Sequence, residues 1–380
     1  MRITFLCSAH SLGDERVVCR HALTLAQTGH LVTVLGRGDH EKTPPSHPNL
    51  ILKSVEPFIR GATIQARYSR IRALRKLYLS ALQFSPDVII ANEPDSALIG
   101  VLIKIKAKIP IVFDVHEYYE ELLAARLPAP FSHVAQRLCW FFLSRLALKC
   151  DWIMVVSDDM ESQYRRISGV RNVATILNSP PVERFPQCNH LTDEPVTLCH
   201  EGWMDSTRGM EQLIAALAIA RKCVDVRLLV VGSIRTECRE QFSELIESND
   251  LSDAVILTGW VPYDKVGTLD AQAQIGLVTL QPSGNNYRGL SNKLFSYMAC
   301  GHAVIVPCES ATQALVDSCN GGVAVDVTSP QAIAEAIIML TGNPKLRQQF
   351  GENNRRSIVE KYGWNVMASK LESIVAGCIH

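Results

Sequence analysis

The sequence predicts two doubly wound α/β domains, each a parallel sheet covered by helices, and three observations point there. Short apolar runs alternate with longer helical patterns along the chain of 380 residues, the signature of parallel strands with helices on both faces. The alternation halts at Asn178-Ser179-Pro180-Pro181 and then starts again. The length suits two or three domains. A chain that is 47% hydrophobic and 20% charged can bury a large core, which excludes disorder, collagen and a coiled coil.

In the first half the strands are Ile3–Cys7, Leu31–Leu35, Val88–Ala91, Ile111–Phe113 and Trp152–Val156. Each is a short, nearly continuous apolar run, as expected of a strand buried on both faces. Helical spacing fills Val17–Thr28, Tyr68–Leu82 and Ala97–Lys106 between them. The second half repeats the scheme with strands at Val196–Cys199, Val226–Val231, Ala254–Leu257, Ile275–Leu280, Ala303–Val306 and Val323–Val325. Its helices are expected at 209–222, 236–248, 292–300 and 330–341. The domains are therefore read as 1–178 and 179–362, with 363–380 a terminal helix packing back on the first. Ligands of such folds sit beyond the carboxyl ends of the strands, so two facing domains would share a cleft.

A dehydrogenase is the default for this architecture, and the residues argue against it. After the first strand the loop reads Ser8-Ala9-His10-Ser11-Leu12-Gly13-Asp14, not GxGxxG. The turn after Val231 lacks the fingerprint too, and neither GxxxxGK[ST] nor DxD occurs. A bound nucleotide would need amides, helix ends and basic side chains for its phosphates. The 12 cysteines are scattered, without a CxxC pair, as in a reduced cytoplasmic protein rather than a disulfide scaffold or zinc ribbon. The amino-terminal apolar stretch is short for a signal peptide, and the best spanning candidate, 139–156, is broken by Arg145, Lys149 and Asp151. A soluble or membrane-peripheral protein is expected.

The most informative stretch is 285–309. A polar loop leads to a helix starting near Ser291, and Gly301 ends it before a strand. Backbone amides at Gly289, Leu290 and Ser291 would face an anion above that helix start. A capped helix with nothing bound fits the same spacing. The run Ser291-Asn292-Lys293-Leu294-Phe295-Ser296-Tyr297-Met298-Ala299-Cys300-Gly301-His302-Ala303-Val304-Ile305 resembles the P-x-K-x-F-E-Y-M-A-x-G-x-P-V-I stretch of the family 4 retaining glycosyltransferases of GT-B fold. Asp14-Glu15-Arg16-Val17 with Ala22 through Val34 resembles that family's first helix and second strand. Asp114-Val115-His116-Glu117 resembles its D-x-H-E turn. Gly202 through Arg208-Gly209 and on to Ala216 resembles its G-x(5)-[KR]-G-x-x-x-L-I-x-A element, and Gly259-Trp260-Val261 its G-x-V loop. The order and spacing of these motifs together carry the resemblance.

The resemblance implies two Rossmann-like domains facing across a cleft, a nucleotide-sugar donor held mainly by the second, and metal-independent transfer with retention. No cofactor is implied. Arg208 matches the cation on the donor diphosphate, where a guanidinium suits bidentate contact. Gly13 matches the loop beside the donor sugar, and His116 a residue near the reacting centre. Gly289, Leu290 and Ser291 match the loop whose amides meet the diphosphate; Trp260 and Val261 match the loop against the base. Each also has a plainer reading: a solvated arginine, a turn glycine, a capping histidine, a core tryptophan. The family's paired glutamates are replaced by Arg288 and Ser296. Ser296 reaches a ribose less far, and Arg288 reverses the charge beside the transferred sugar, where it could meet a diphosphate. Trp203 stands where the family more often has a cation.

Net charge is zero, yet residues 1–178 carry 22 Lys and Arg against 16 Asp and Glu, a net +6, and residues 179–380 carry 16 against 22, a net −6. Residues 57–86 hold Arg60, Arg67, Arg70, Arg72, Arg75 and Lys76 without an acid. Helical spacing groups Tyr68, Ile71, Leu74, Tyr78 and Leu82 on one face. Either that face packs on the sheet, or the helix meets an anionic membrane or lipid-diphosphate acceptor. Nucleic acid fits least, since the acidic half would repel it and stacking motifs are missing. The expectation is transfer of a sugar to a lipid-linked or glycan acceptor in surface polysaccharide or glycolipid synthesis. The alternatives are a catalytically degenerate GT-B binding protein and a sugar-nucleotide epimerase.

Overall fold

The computed structural model describes residues 1–38, 45–55, 63–129, 131–191 and 195–379. It divides into two compact units, Met1–Leu177 with Met367–His380, and Asn178–Val366.

The first unit holds strands β1 (Arg2–Ser11), β2 (Leu31–Arg37), β3 (Leu50–Val55), β4 (Val88–Asn92), β5 (Ile111–Val115), β6 (Trp152–Val155) and β7 (Val173–Thr175). They form one sheet in the order β3-β2-β1-β4-β5-β6-β7, parallel throughout. A π-helical stretch, Glu15–Ala22, runs into α1 (Leu23–Gln27). Then come α2 (Ile64–Gln83), α3 (Pro94–Ala107), α4 (Tyr119–Ala124), α5 (Phe131–Ala147) and α6 (Asp158–Arg165). Leu6, Ile89, Phe113 and Val155 of the central strands are fully buried, which explains why those strands read as unbroken apolar runs.

The second unit holds β8 (Val196–Glu201), β9 (Val226–Val231), β10 (Val255–Leu257), β11 (Ile275–Leu277), β12 (Ala303–Pro307) and β13 (Gly322–Val325). Their order is β10-β9-β8-β11-β12-β13, again all parallel. Its helices are α7 (Met210–Ala220), α8 (Arg239–Ser248), α9 (Tyr263–Asp270), α10 (Gly284–Arg288), α11 (Asn292–Cys300), α12 (Ala311–Cys319), α13 (Pro330–Thr341) and α14 (Pro344–Ser357). The last helix, α15 (Trp364–Ala376), belongs to the first unit from Met367 onward. Gly301 ends α11 in the left-handed region at φ 71°, the conformation that a C-terminal glycine accepts without a Cβ clash.

Some expectations change. The stretch Val17–Thr28 is a π-helical segment plus a short α-helix, and 236–248 opens with a 3-10 turn. On α2 the stripe on the sheet is Ala66, Ala73, Leu77 and Ala81, with Leu74, Tyr78 and Leu82 partly covered. Tyr68 and Ile71 are exposed instead of joining that face. Small alanines let the helix approach the sheet closely, and a count of large apolar side chains does not register them. The edge strands β3 and β7 and the helix α5 were also not foreseen. Strand β3 mixes exposed and half-buried residues and includes Lys53 and Ser54, so it lacks the continuous apolar run of a central strand.

Candidate functional site

In each sheet the strand order reverses direction at one point, between β1 and β4 and between β8 and β11. The carboxyl ends of strands flanking such a switch form the crevice where doubly wound folds bind ligands. Each unit concentrates polar side chains there.

In the first unit the cluster is built on His10 at the end of β1, Glu93 just after β4 and His116 just after β5. His10 Nδ1 lies 2.9 Å from Asp14 Oδ2, and its Nε2 lies 2.9 Å from His116 Nε2 and 3.3 Å from Glu93 Oε1. Burial pulls the His10 imidazole down, but the hydrogen bond and charge of Asp14, helped by Glu93, raise it to about 9. His116 goes the other way: burial, with the nearby His10 and Arg16 charges, lowers it to about 4 against the pull of Asp114. Near neutral pH, His10 is thus the charged donor and His116 Nε2 the acceptor. That leaves the His116 proton on Nδ1, a buried atom without a hydrogen-bond partner among the described residues. A buried donor of this kind calls for an oxygen acceptor.

Glu93 is held at φ 63°, a strained value for a residue with a Cβ. Its carboxylate accepts from Ser8 N at 3.0 Å, Ser8 Oγ at 3.2 Å and Ser96 Oγ at 3.1 Å. Below it, Arg16 Nε and Nη2 donate to Asp114 Oδ2 and Oδ1 at 3.2 and 2.8 Å. Although burial opposes its ionisation, the Arg16 charge holds Asp114 below the usual carboxylate range. This pair ties the π-helical stretch to the end of β5 and so sets the turn bearing His116. Gly13 is buried in the turn just before Asp14.

In the second unit Asp205 gathers the cations. It accepts from Thr207 N at 2.9 Å, Arg208 Nη1 at 3.2 Å and Arg235 Nε at 2.7 Å. The Arg235 guanidinium also lies over the Trp203 ring, 5.8 Å from its centroid, so a cation is held beside Trp203 by a residue from another strand end. The Arg208 carbonyl accepts from Thr279 Oγ1 at 2.7 Å. Gly209 sits at φ 77°, and a Cβ there would lie 2.5 Å from the Thr279 carbonyl oxygen; only glycine lets Arg208 dock on this strand end.

Beneath Arg208, Lys293 is buried with Nζ 3.3 Å from His200 Nε2. Burial and the Arg208 charge lower it to about 7. Burial raises the Glu201 carboxyl, an effect partly offset by Ser296 and Lys293, and its Oε2 has no partner among the described residues. Tyr297 Oη accepts from Glu201 N at 2.8 Å and donates to the Cys199 carbonyl at 3.0 Å, which fixes α11 against the end of β8.

The structure thus places Gly13 and His116 at one strand-end cluster, and Arg208 and Ser296 at the other. The Gly289 amide is not free, as the loop reading expected: it donates to the Asn285 carbonyl at 3.0 Å, closing the one-turn helix α10. Arg288 is the last residue of that helix. Leu290 and Ser291 lead into α11, whose N-cap Ser291 makes no side-chain capping bond. Trp260 and Val261 follow β10, the edge strand, two strands from β8. On α2, Arg70 pairs with Asp95, while Arg67, Arg72, Arg75 and Lys76 are exposed; Arg60 lies outside the described residues. His10, Glu93, Arg235, Glu201 and Lys293 were missed as site residues. The signals were there: Glu93 sits between an apolar run and Pro94, and Arg235 in the turn after Val231.

Two all-parallel, doubly wound sheets of this kind match the two-domain α/β architecture of GT-B glycosyltransferase structures. Two family models divide the chain, Glycosyltransferase Family 4 over residues 13–184 and Glycosyl transferases group 1 over residues 195–343. The chain therefore carries a family 4 glycosyltransferase domain followed by a group 1 glycosyltransferase domain. Its relatives include a phosphatidyl-myo-inositol mannosyltransferase from Mycobacterium leprae, 24% identical over 98% of this chain and 95% of that protein. An uncharacterized glycosyltransferase from Methanocaldococcus jannaschii is 28% identical over 47% of this chain and 44% of its own length. An alpha-D-kanosaminyltransferase from Streptomyces kanamyceticus is 23% identical over 48% of this chain and 46% of its own. The chain thus spans about half the length of the latter two relatives. Among solved structures, a sucrose-phosphate synthase from Thermosynechococcus elongatus superposes with a TM-score of 0.77 at 18% identity, over 99% of this chain and 98% of the other. Anabaena HepE in complex with UDP-glucose gives 0.72 at 14% identity, over 99% of this chain and all of that one.

Proposed function

We propose that the protein is a glycosyltransferase moving a sugar from a nucleotide-sugar donor to a lipid-linked or glycan acceptor with retention of configuration. The observation that carries this reading is the cationic strand end of the second unit. There Arg208 and Arg235 share Asp205, Lys293 lies buried beneath, and α11 starts without a side-chain cap. Such a site suits a diphosphate. Relatives point the same way, since they include mannosyltransferases and a capsular polysaccharide biosynthesis glycosyltransferase, and HepE was solved with UDP-glucose.

In this reading the acceptor hydroxyl attacks the anomeric carbon from the face the diphosphate leaves. The glycosidic bond to the diphosphate breaks as the new one forms, and a diphosphate oxygen takes the acceptor proton. Arg208 and Lys293 stabilise the charge that develops on the leaving group. The buried His116 N–H hydrogen-bonds an oxygen of a sugar, a positioning role. Glu201, beside Ser296, supplies a carboxylate near the position where the family carries its second glutamate. Arg288 lies one turn before α11 as a further candidate for the diphosphate. Transfer needs no divalent metal, so turnover is expected to be the same with and without EDTA.

A thermal-shift screen against several nucleotide sugars tests the donor, because a ligand bound only by the folded state raises apparent stability. A second reading, a binding protein without turnover, is favoured by Arg288 and Ser296 in place of the paired glutamates. Donor binding without transfer or donor hydrolysis would select it, and no stabilisation by any nucleotide sugar would remove both.

A further inference from the structure

We propose that the outer face of α5 is a docking surface for an anionic phospholipid bilayer, with the cations of α2 and α3 beside it. This deepens the lipid-acceptor reading above, because it names where the first unit would meet the membrane. Helix α5 is apolar on two sides. Leu143, Leu146 and Ala147 are buried against the unit. On the opposite side Phe131, Leu138 and Phe141 are each 64% exposed, joined by Val134 and Phe142. At 100° per residue these five fall within an arc of about 100°, a continuous stripe along the 17-residue helix. No helix among the described residues is long and apolar enough to cross a membrane, so such a helix would lie in the bilayer plane.

Charge selects the occupant. Helix α5 contains no acid, and Arg137 and Arg145 flank or interrupt the stripe. The Arg145 guanidinium sits 5.9 Å from the Phe141 ring centroid, an aromatic–cation pair suited to the headgroup level. Helix α3 packs against both α5 and α2. It exposes Leu102 and Ile105, the latter 73%, with Lys106 and Lys108 at its end. Beyond it, α2 exposes Tyr68 and Ile71 among its arginines. Across the three helices Asp95 is the sole acid, and Arg70 pairs with it. On neighbouring α4, Glu120 is buried and accepts from Gln163, and Glu121 is half-buried. Aromatic and aliphatic side chains among cations, with no exposed acid on α2, α3, α4 or α5, match the interface of an anionic bilayer. A second copy of this chain would bring the same cations face to face.

Flotation of the full chain with phosphatidylcholine vesicles, with and without phosphatidylglycerol, tests this. Wild type is expected to float only with phosphatidylglycerol, and less at high salt. The double variant L138E/F141E should lower vesicle affinity by about tenfold or more at any salt concentration, and R72E/R75E by roughly fivefold per cation, about 25-fold together, at low salt only. Both pairs are exposed, so unchanged thermal melting would show that folding is intact. Absence of flotation with phosphatidylglycerol overturns the proposal, as does equal flotation of L138E/F141E. A wild-type dimer that L138E/F141E converts to monomer, without vesicle binding, overturns it in favour of self-association. Nucleotide-sugar stabilisation measured on the same variants keeps this result separate from the donor reading.

Discussion

The two strand-end clusters have opposite chemistry to the halves that hold them. The basic half, with its net +6, ends its sheet in Asp14, Glu93 and Asp114 knitted to imidazoles and one buried arginine. The acidic half, net −6, ends its sheet in Arg208, Arg235 and Lys293 around one aspartate. Bulk charge therefore says nothing of the site. The excess cations of the first half sit largely on its outer helices, while burial and a few close partners decide the charge at each strand end. The first cluster offsets most of its carboxylate charge with His10 and Arg16, fit to position neutral oxygens rather than an anion. The second is left with excess positive charge, fit to receive an anion.

The contrast can be broken first at Asp114. Asp114→Ala leaves the buried Arg16 guanidinium without its carboxylate. It should cost about 3–5 kcal/mol of stability, read as the shift of a denaturant midpoint, and a near-wild-type midpoint would show that the first cluster is not held by this pair. Next comes Arg208. Arg208→Ala should lower kcat by about 10²–10³ with the melting temperature nearly unchanged; normal turnover in that variant sinks the assignment of the second cluster to the leaving group.

Lys293 sharpens the comparison further. Its ammonium is lowered to about 7, so at pH 8 it is largely neutral in the free protein. A bound diphosphate favours its charged form, and binding should then take up a proton and weaken as pH rises from 7 to 9. Calorimetry in buffers of different ionisation enthalpy measures that uptake, which Lys293→Gln should abolish. The smallest effect is expected at His10. Its pKa is raised to about 9, above the unfolded value near 6.5, so the folded state binds the extra proton. Its contribution to stability is complete below about 6.5 and lost as pH rises through 9. His10→Asn should flatten the pH dependence of the melting temperature in that window; an unchanged slope would show that His10 is not the charged member of the pair.

The class of fold was legible because central parallel strands are buried on both faces and must be nearly all apolar. Helix α11 was legible from Ser291 to Gly301, since a left-handed C-terminal residue requires glycine there. The edge strands β3 and β7 were not, because one-sided pairing relaxes the pattern. The stripe on α5 was not either: an apolar side chain does not carry its own burial, and only the exposure of Phe131, Leu138 and Phe141 reveals it. Among the polar groups, Arg208 and His116 stood out by local motif. His10, Glu93 and Arg235 did not, because each acts through a partner on a different strand.

The sequence alone determined two alternating α/β halves, their family motifs and the division of charge between them. These are local patterns, written in periodicity and spacing. Only the tertiary structure decided which polar residues meet. His10 comes to His116 across 106 positions, and Arg235 reaches Asp205 from the end of a neighbouring strand. Proximity at the ends of parallel strands is set by crossover connections and sheet order, and no local pattern encodes a distance through space.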